Sequence, residues 1–110
     1  MLTGSEGTLA VLTEMTVNLV AKPTRTALAV VHFDNVVEAC AAIPDILETE
    51  PSASELLDRQ MLSLARAQPE WAKKIHFVEG DPAAVLLTEF YGEDDKELLG
   101  KIEKLEKHLR

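Results

Sequence analysis

The chain has 110 residues, which is enough for one domain but too short for a complete enzyme of the larger cofactor-dependent classes. Its residues are 46% hydrophobic and 27% charged, a composition typical of a globular chain with a buried core rather than a disordered one. The formal net charge of -8 disfavours nucleic acid and anionic membranes as partners, because both are bound through lysine and arginine.

The cysteine count and the apolar runs predict the compartment. Cys40 is the only cysteine, so no internal disulfide can form, and this fits a reducing environment. No apolar run approaches the roughly 20 residues of a membrane span, and no signal sequence is recognisable. We therefore expect a cytoplasmic protein without a membrane span.

Two strands and one helix are predicted in the first half of the chain. After a glycine-containing loop, Met15, Val17 and Leu19 alternate with Thr16 and Asn18, which predicts a strand. A second strand covers the apolar run "TALAVVHF". The helix "NVVEACAAI" follows, with Asp34 expected as its N-cap and with a stop or kink near Ile43 because Pro44 lacks a backbone donor.

The second half is predicted to contain two further helices and one strand. Residues 55–67 have helical apolar spacing, although the part before Asp58 could equally be extended. Trp71 and Phe77 are expected in the core. The run "AAVLLTEFY" predicts a strand, and "EDDKELLGKIEKLEKHLR" predicts an amphipathic helix. The apolar positions of the two helices are Leu57, Met61, Leu64 and Ala65 in the first and Leu98, Ile102, Leu105 and Leu109 in the second.

The resulting order of elements is β, β, α, α, β, α. This order of strands and helices predicts an α+β fold, with an open sheet that carries helices on one face.

A search for catalytic or metal-binding residues yields no candidates. The three histidines, His32, His76 and His108, are far apart and have no carboxylate or thiolate at a metal-ligand spacing. Cys40 is expected to be a small buried thiol of its helix rather than a nucleophile. The carboxylates around Asp94 are those of a solvated helix start rather than a calcium site.

The opening loop, residues 2–12, is the exception. Gly4 and Gly7 allow positive φ, Ser5 and Thr8 offer hydroxyl groups, and consecutive amides in such a turn can form an anion-binding nest. The absence of a lysine excludes the P-loop pattern, and the glycine spacing is not that of the dinucleotide fingerprint. On spacing alone, a glycine turn that leads into a strand is the favoured interpretation.

The stretch "GSEGTLAVLTEMTVNLVAKP" resembles the end of the FAD-binding domain in FAD-linked oxidases of the vanillyl-alcohol-oxidase type, the group that contains glycolate oxidase flavoprotein subunits and D-lactate dehydrogenases. The family pattern G-S-E-G-T-L-G-V-I-T-E differs here only at Ala10 and Leu12. "SASELLDRQMLSLAR" and "GDPAAVLLTEFYGED" resemble the opening half of the family's C-terminal cap domain.

The resemblance implies a division of the chain and a set of cofactor contacts. Residues 1–23 would end an FAD-binding domain, and residues 24–110 would form the first half of a ferredoxin-like cap domain. The segment matching the motif would line FAD, largely through main-chain groups; its residues are Glu6, Gly7, Thr8, Leu9, Ala10, Val11 and Leu12. No catalytic or metal-binding residue of the family can be matched in this chain.

The implied activity belongs to a longer parent enzyme. A 2-hydroxy acid of the D-lactate or glycolate type would lose a proton to a base and a hydride to the flavin of FAD. The implied partners are the remainder of the flavoenzyme and an iron-sulfur domain or subunit as electron acceptor. We also expect a homo-oligomer, because the apolar strands "TALAVVHF" and "AAVLLTEFY" leave an unpaired sheet edge. The alternative is a free-standing, non-catalytic α+β interaction or regulatory module derived from such an enzyme.

Overall fold

The computed structural model describes residues 2–110, so Met1 of the predicted 1–23 segment lies outside the described residues. Three strands and four helices follow one another along the chain. They are β1 (Arg25–Phe33), α1 (Val36–Leu47), β2 (Ala53–Asp58), α2 (Arg59–Ala67), α3 (Pro69–Ala72), β3 (Ala84–Gly92) and α4 (Asp95–His108).

The strands form one open antiparallel sheet in the order β1-β3-β2. Arg25 pairs with Gly92 and Phe33 with Ala84, so that all nine residues of β1 are in register with β3. On the other side of β3, the six residues of β2 pair with residues 84–89. Since β1 and β2 are both antiparallel to β3, they run parallel to each other with β3 inserted between them, which is the split βαβ arrangement of ferredoxin-like folds. The predicted α+β class and open sheet are confirmed.

The core lies on the face of the sheet that α1 and α4 cover. Side chains alternate between the two faces of a strand, and β3 directs Ala84, Leu86 and Phe90 toward these helices. Phe90 is fully buried. The helices contribute Ala39 and Ile46 from α1 and Leu98 and Leu105 from α4. A smaller cluster of Leu62, Val78 and Val85 covers one end of the opposite face, where α2 packs.

Helix α4 follows the sequence prediction closely. Leu98 and Leu105 are buried, and Ile102 and Leu109 pack at the border of the same core. Its N-cap is Asp94, whose Oδ1 accepts a hydrogen bond of 2.8 Å from the backbone N–H of Glu97.

Helix α1 differs from the prediction at both ends. Its N-cap is Asn35 rather than Asp34, since the Asn35 Oδ1 accepts a 2.8 Å hydrogen bond from the N–H of Val37. The helix also continues through Pro44 to Leu47. Proline costs about 3 kcal/mol inside a helix, but full burial of Ile46 in the last turn offsets about 1.5–3 kcal/mol of that cost.

One further prediction is wrong, and one alternative that the sequence left open is decided. Residues 15–20 form no strand, because within residues 2–110 no other strand pairs with them. In the 55–67 region the extended alternative is right up to Asp58, which then caps α2 by accepting a 2.8 Å hydrogen bond from the N–H of Met61. This start places Leu62 in the core, whereas Met61 and Leu64 are exposed.

The aromatic residues of the connection after α2 also lie outside the core. Trp71 is 50% exposed and Phe77 is exposed as well, although both are expected to be buried. The Nζ of Lys74 lies 4.7 Å from the centre of the Trp71 ring, a cation–π contact that suits an aromatic side chain at the surface.

Candidate functional site

The opening loop consists of two consecutive turns in which three residues have left-handed backbone conformations. The φ angles are +83° at Gly4, +49° at Glu6 and +80° at Gly7. Glycine adopts this conformation without a steric penalty, whereas Glu6 is a non-glycine residue in a region that few such residues occupy. Two of the three left-handed positions in the loop are therefore occupied by glycine, the residue that this conformation favours.

Hydrogen bonds within the loop hold these turns. The N–H of Ser5 donates to the carbonyl of Leu2 at 3.1 Å, and the N–H of Thr8 donates to the carbonyl of Ser5 at 2.9 Å. The hydroxyl of Thr8 donates to the same Ser5 carbonyl at 2.6 Å. The Thr8 side chain is thereby used inside the loop as a turn-stabilising group.

A concave surface of about 440 Å³ lies on one side of the loop. Five of the seven residues predicted to contact a cofactor line it, namely Glu6, Gly7, Ala10, Val11 and Leu12. The other two, Thr8 and Leu9, lie outside this surface, and Leu9 is exposed. The structure thus brings most of the predicted residues to one surface but not all of them.

The chemical character of this surface fits the flavin ring of FAD better than its pyrophosphate. Apolar side chains of Ala10, Val11 and Leu12 and the main chain at Gly7 can contact a flat aromatic ring. No atom lies within 4 Å of the position that a side chain at Gly7 would occupy, which leaves the main chain open to close approach. The only charged residue of the lining is Glu6, and a carboxylate disfavours a pyrophosphate. The residues fit a flavin wall and do not fit a phosphate site.

The remaining candidate side chains have structural contacts. The Nε2 of His32 accepts a 3.2 Å hydrogen bond from the N–H of Glu79, and the Nδ1 atoms of His76 and His108 lie 3.1 and 2.9 Å from backbone carbonyls. Cys40 is exposed rather than buried, because its neighbour Ala39 occupies the position on α1 that faces the core. Among residues 2–110, no three His, Cys, Asp or Glu side chains cluster as metal ligands would.

The carboxylates before α4 form a helix cap, as the sequence predicts. The Oε2 of Glu97 accepts a 2.8 Å hydrogen bond from the N–H of Glu93, and its Oε1 lies 2.7 Å from the Nζ of Lys101. The hydrogen bond from Lys101 and the one from the Glu93 backbone lower the pKa of Glu97 below its usual value of 4.5. These interactions stabilise the start of α4.

Two features of the surface were not predicted from the sequence. The carboxylate of Asp81 lies 3.6 Å from the Nε of Arg59 and 3.5 Å from the Nη1 of Arg66. The Nη2 of Arg66 also donates a 2.7 Å hydrogen bond to the carbonyl of Gly80. These contacts fix the "EGDP" turn against α2. An apolar groove of about 410 Å³ lies between β1 and the last turns of α4. Neither has a local signal in the sequence, because both depend on contacts between distant segments.

In the part of the chain that the structure describes, no helix is both long enough and apolar enough to cross a membrane.

Comparisons with known proteins identify relatives over most of the chain. Residues 22–110 match the family model "FAD linked oxidases, C-terminal domain". "D-lactate dehydrogenase [cytochrome] 1, mitochondrial" of Saccharomyces cerevisiae is 37% identical over 78 residues, which are 64% of this chain and 13% of the relative. "D-2-hydroxyglutarate dehydrogenase" of Escherichia coli is 31% identical over 99 residues, 86% of this chain and 10% of the relative.

A second D-2-hydroxyglutarate dehydrogenase, from Pseudomonas putida, is 25% identical over an alignment that covers 100% of this chain and 11% of the relative. The chain thus spans about a tenth of the length of these curated relatives. No solved structure matches it significantly. Because the family model covers all residues from 22 to the last one, which include every strand and helix, the chain belongs to the FAD-linked oxidases and matches their C-terminal domain.

Proposed function

We propose that this chain is part of an FAD-dependent oxidoreductase that acts on a 2-hydroxy acid of the D-lactate or glycolate type. The family match supports the cofactor. The yeast relative is named for D-lactate and the two bacterial relatives for D-2-hydroxyglutarate, and both compounds are 2-hydroxy acids. The shared chemical group defines the proposed substrate class.

The opening loop carries the proposal that this chain contributes to the FAD site. Gly4 and Gly7 hold left-handed conformations, and the space beside both is open at the surface. Next to Gly7 lies the apolar wall of Ala10, Val11 and Leu12. An open main chain beside an apolar wall is what one side of a flavin ring requires, because the ring is flat and its edge carries hydrogen-bonding groups.

When bound, FAD supplies the acceptor for the hydride that leaves the substrate carbon. The role of this chain would be to position the flavin and to exclude water from one side of it through the apolar wall. We propose no residue among 2–110 as the base that takes the hydroxyl proton. That group and the phosphate-binding loops would come from the rest of the enzyme.

The division into residues 1–23 and 24–110 follows from the same proposal. The first segment would complete an FAD-binding domain, and the second would begin the cap domain. The proposed partners are the remainder of the flavoenzyme and an iron-sulfur domain or subunit that takes electrons from the flavin. We also propose that copies of the chain associate with one another.

The proposed location is the cytoplasm. Cys40 is an exposed free thiol and the only cysteine of the chain, which fits a reducing compartment. The yeast relative is named as mitochondrial. Fractionation of cells that produce the native protein, with the flavin and an antibody as parallel markers, distinguishes the two locations.

The first experiment uses the purified 110-residue chain and measures its flavin absorbance after incubation with FAD and desalting. We expect no retained flavin, because one wall leaves most of a dinucleotide in water and the loop lining has no cation for the pyrophosphate. Stoichiometric retention would contradict the proposal that the other walls lie elsewhere.

The second experiment uses the flavoenzyme that contains this chain and compares Gly7→Val with Gly80→Val. Both glycines have positive φ, +80° and +65°, and at neither does any atom lie within 4 Å of the position that a Cβ would occupy. Valine therefore strains both turns similarly, but only Gly7 borders the proposed flavin wall. We expect a lower FAD content for Gly7→Val alone. Equal FAD content in the two variants and the parent would refute the assignment.

The alternative, a non-catalytic interaction module, has one supporting observation. The two core clusters are built from residues 27–109 without any contribution from the opening loop. A folded domain can therefore exist without the cofactor. A flavoenzyme that contains this chain and loses FAD in the Gly7→Val variant would argue against the alternative.

A further inference from the structure

The segment that carries the candidate cofactor loop, residues 2–23, meets the folded domain where β1 begins. Arg25 pairs with Gly92 as the outermost pair of the β1–β3 ladder. Thr24 precedes Arg25 and Glu93 follows Gly92, so in the same register Thr24 and Glu93 lie opposite each other directly beyond the ladder. The hydroxyl of Thr24 donates a 3.1 Å hydrogen bond to the Oε2 of Glu93. In the part of the chain that the structure describes, no residue before Thr24 forms a hydrogen bond with a residue after it.

Side chains of α4 hold the main chain on both sides of Gly92. The Oε2 of Glu97 accepts a 2.8 Å hydrogen bond from the N–H of Glu93. The Nζ of Lys101 donates to the carbonyl of Tyr91. Glu97 and Lys101 also pair with each other, since the Glu97 Oε1 and the Lys101 Nζ lie 2.7 Å apart. The backbone position of Glu93 is therefore determined by α4.

Helix α4 is in turn fixed to the sheet. Leu98, which follows Glu97, is buried in the main core. A Cβ at Gly92 would lie 3.0 Å from the Cγ of Leu98, so the end of β3 and the first turns of α4 are in close contact. A continuous series of contacts thus leads from the core through Glu97 and Glu93 to the hydroxyl of Thr24.

A neighbouring ion pair is a weaker candidate for holding the same point of the chain. The Nη1 of Arg25 lies 3.7 Å from the Oδ1 of Asp95, and both side chains are more than half exposed. Exposed ion pairs contribute little, because water and salt screen them. The Thr24 hydrogen bond is shorter, and its acceptor is a carboxylate oxygen whose residue is fixed through its own backbone.

We propose that the hydrogen bond between Thr24 and Glu93 fixes the direction in which residues 2–23 leave the folded domain. This inference rests on the proposed function, in which those residues belong to the FAD-binding domain and the domain after them is the cap. The bond would then orient the two domains at their boundary. Neither Thr24 nor Glu93 would touch the flavin; both are positioning residues. Hydride transfer needs fixed distances between the reacting atoms, and a boundary with several orientations would lower the fraction of enzyme that has them.

Five single substitutions separate the hydrogen bond from the side chains that form it. Thr24→Val removes the hydroxyl but keeps the shape of the side chain, and Glu93→Ala removes the acceptor. Thr24→Ser keeps a hydroxyl and Glu93→Gln keeps an oxygen at the same distance from the backbone, so these two variants should retain the bond. Arg25→Gln breaks only the neighbouring ion pair and is the matched control.

The first measurement uses the 110-residue chain without flavin. Nitrogen-15 relaxation gives the order parameters of the backbone amides of Lys22 and Thr24. We expect values of about 0.85, typical of rigid backbone, in the parent and in the three variants that keep the bond, and values that fall toward about 0.6 in Thr24→Val and Glu93→Ala. The double variant should be no more mobile than either single one, because both remove the same contact. Equal order parameters in all variants would overturn the proposal.

The second measurement uses the flavoenzyme that contains this chain. Loss of one hydrogen bond shifts the population of an oriented state by about two- to tenfold. Reduction of the flavin by D-lactate or D-2-hydroxyglutarate, the acids for which the relatives are named, should therefore slow by up to about tenfold in Thr24→Val and Glu93→Ala, at unchanged FAD content. Thr24→Ser, Glu93→Gln and Arg25→Gln should react like the parent.

The two measurements separate this inference from the proposed function. Flavin reduction as fast in Thr24→Val and Glu93→Ala as in the parent would overturn the positioning role. A parent enzyme that holds no FAD, or whose flavin neither acid reduces, would refute the proposed function and the positioning role with it. The order parameters of the isolated chain would still decide whether the Thr24 hydrogen bond fixes the segment.

Discussion

The same chemical change, glycine to alanine, should have opposite effects at two positions near α4. At Gly92, a Cβ would lie 3.0 Å from Cγ and 3.1 Å from Cδ2 of Leu98, which is closer than van der Waals contact. Leu98 is buried in the main core and cannot move aside freely. Overpacking of this kind costs about 1–3 kcal/mol of unfolding free energy.

At Gly100, by contrast, we expect alanine to raise the unfolding free energy. Gly100 lies in the interior of α4, is exposed, and has no atom within 4 Å of the position that a Cβ would occupy. Alanine is favoured over glycine in a helix interior by about 0.8–1.0 kcal/mol. The two variants should therefore differ in stability by about 2–4 kcal/mol.

Thermal unfolding followed by circular dichroism measures both variants against the parent chain. A change of 1 kcal/mol shifts the Tm of a small domain by about 4–8 °C, so Gly100→Ala should unfold several degrees higher and Gly92→Ala at least as many degrees lower. A Gly92→Ala chain as stable as the parent would refute the close packing of Leu98 on the end of β3. A destabilised Gly100→Ala chain would refute the position of Gly100 in an exposed helix interior.

Two further predictions concern β3 and the cap of α4. Phe90→Ala should lower the unfolding free energy by about 3–5 kcal/mol, because Phe90 is fully buried. Tyr91→Ala, on the exposed face of the same strand, should cost much less. Urea unfolding of the two variants measures this difference, and equal losses would contradict the assignment of the two residues to opposite faces. The lowered pKa of Glu97 means that its contacts with Lys101 and the Glu93 backbone stabilise the fold above pH 4.5 and lose that effect as the pH falls through the pKa of the folded state. The stability gap between the parent and Glu97→Gln should therefore shrink in acid, and a gap independent of pH would contradict it.

The sequence predicts the elements whose signals are local. The run "AAVLLTEFY" is mostly apolar because β3 is the central strand, with Leu86 and Phe90 in the main core and Val85 in the smaller cluster, and the structure confirms the strand. Helix α4 has a regular apolar stripe and a carboxylate cap, and Leu98 and Leu105 are buried as predicted. In both cases the periodicity of the sequence and the final environment agree.

The errors arise where a distant contact decides the structure. Pro44 interrupts a helix in a local reading, but the burial of Ile46 beyond it extends α1 to Leu47. The alternation around Val17 is that of a strand, yet a strand also needs a neighbour, and sequence periodicity does not supply one. The position of a partner strand is a property of the fold or of the assembly.

The candidate cofactor loop was predictable only in part. The glycines of the motif point to positive φ, and the structure has it at Gly4 and Gly7. The left-handed conformation of Glu6 and the internal hydrogen bond of the Thr8 hydroxyl were not predictable, because both follow from the way the two turns join. The motif therefore identifies the loop, and the structure decides which of its side chains remain free to contact a ligand.

The position of the loop relative to the core makes its function separable from folding. Every residue of the two core clusters lies at or after position 27, so a substitution in residues 2–12 changes no core contact. A change at Gly7 can alter the main chain beside the proposed flavin wall without altering the packing of Phe90 or Leu98. Loss of FAD with an unchanged Tm would then measure a cofactor contact directly. For a substitution in β3 the two effects could not be separated, because the same strand supports the helices on which the whole sheet depends.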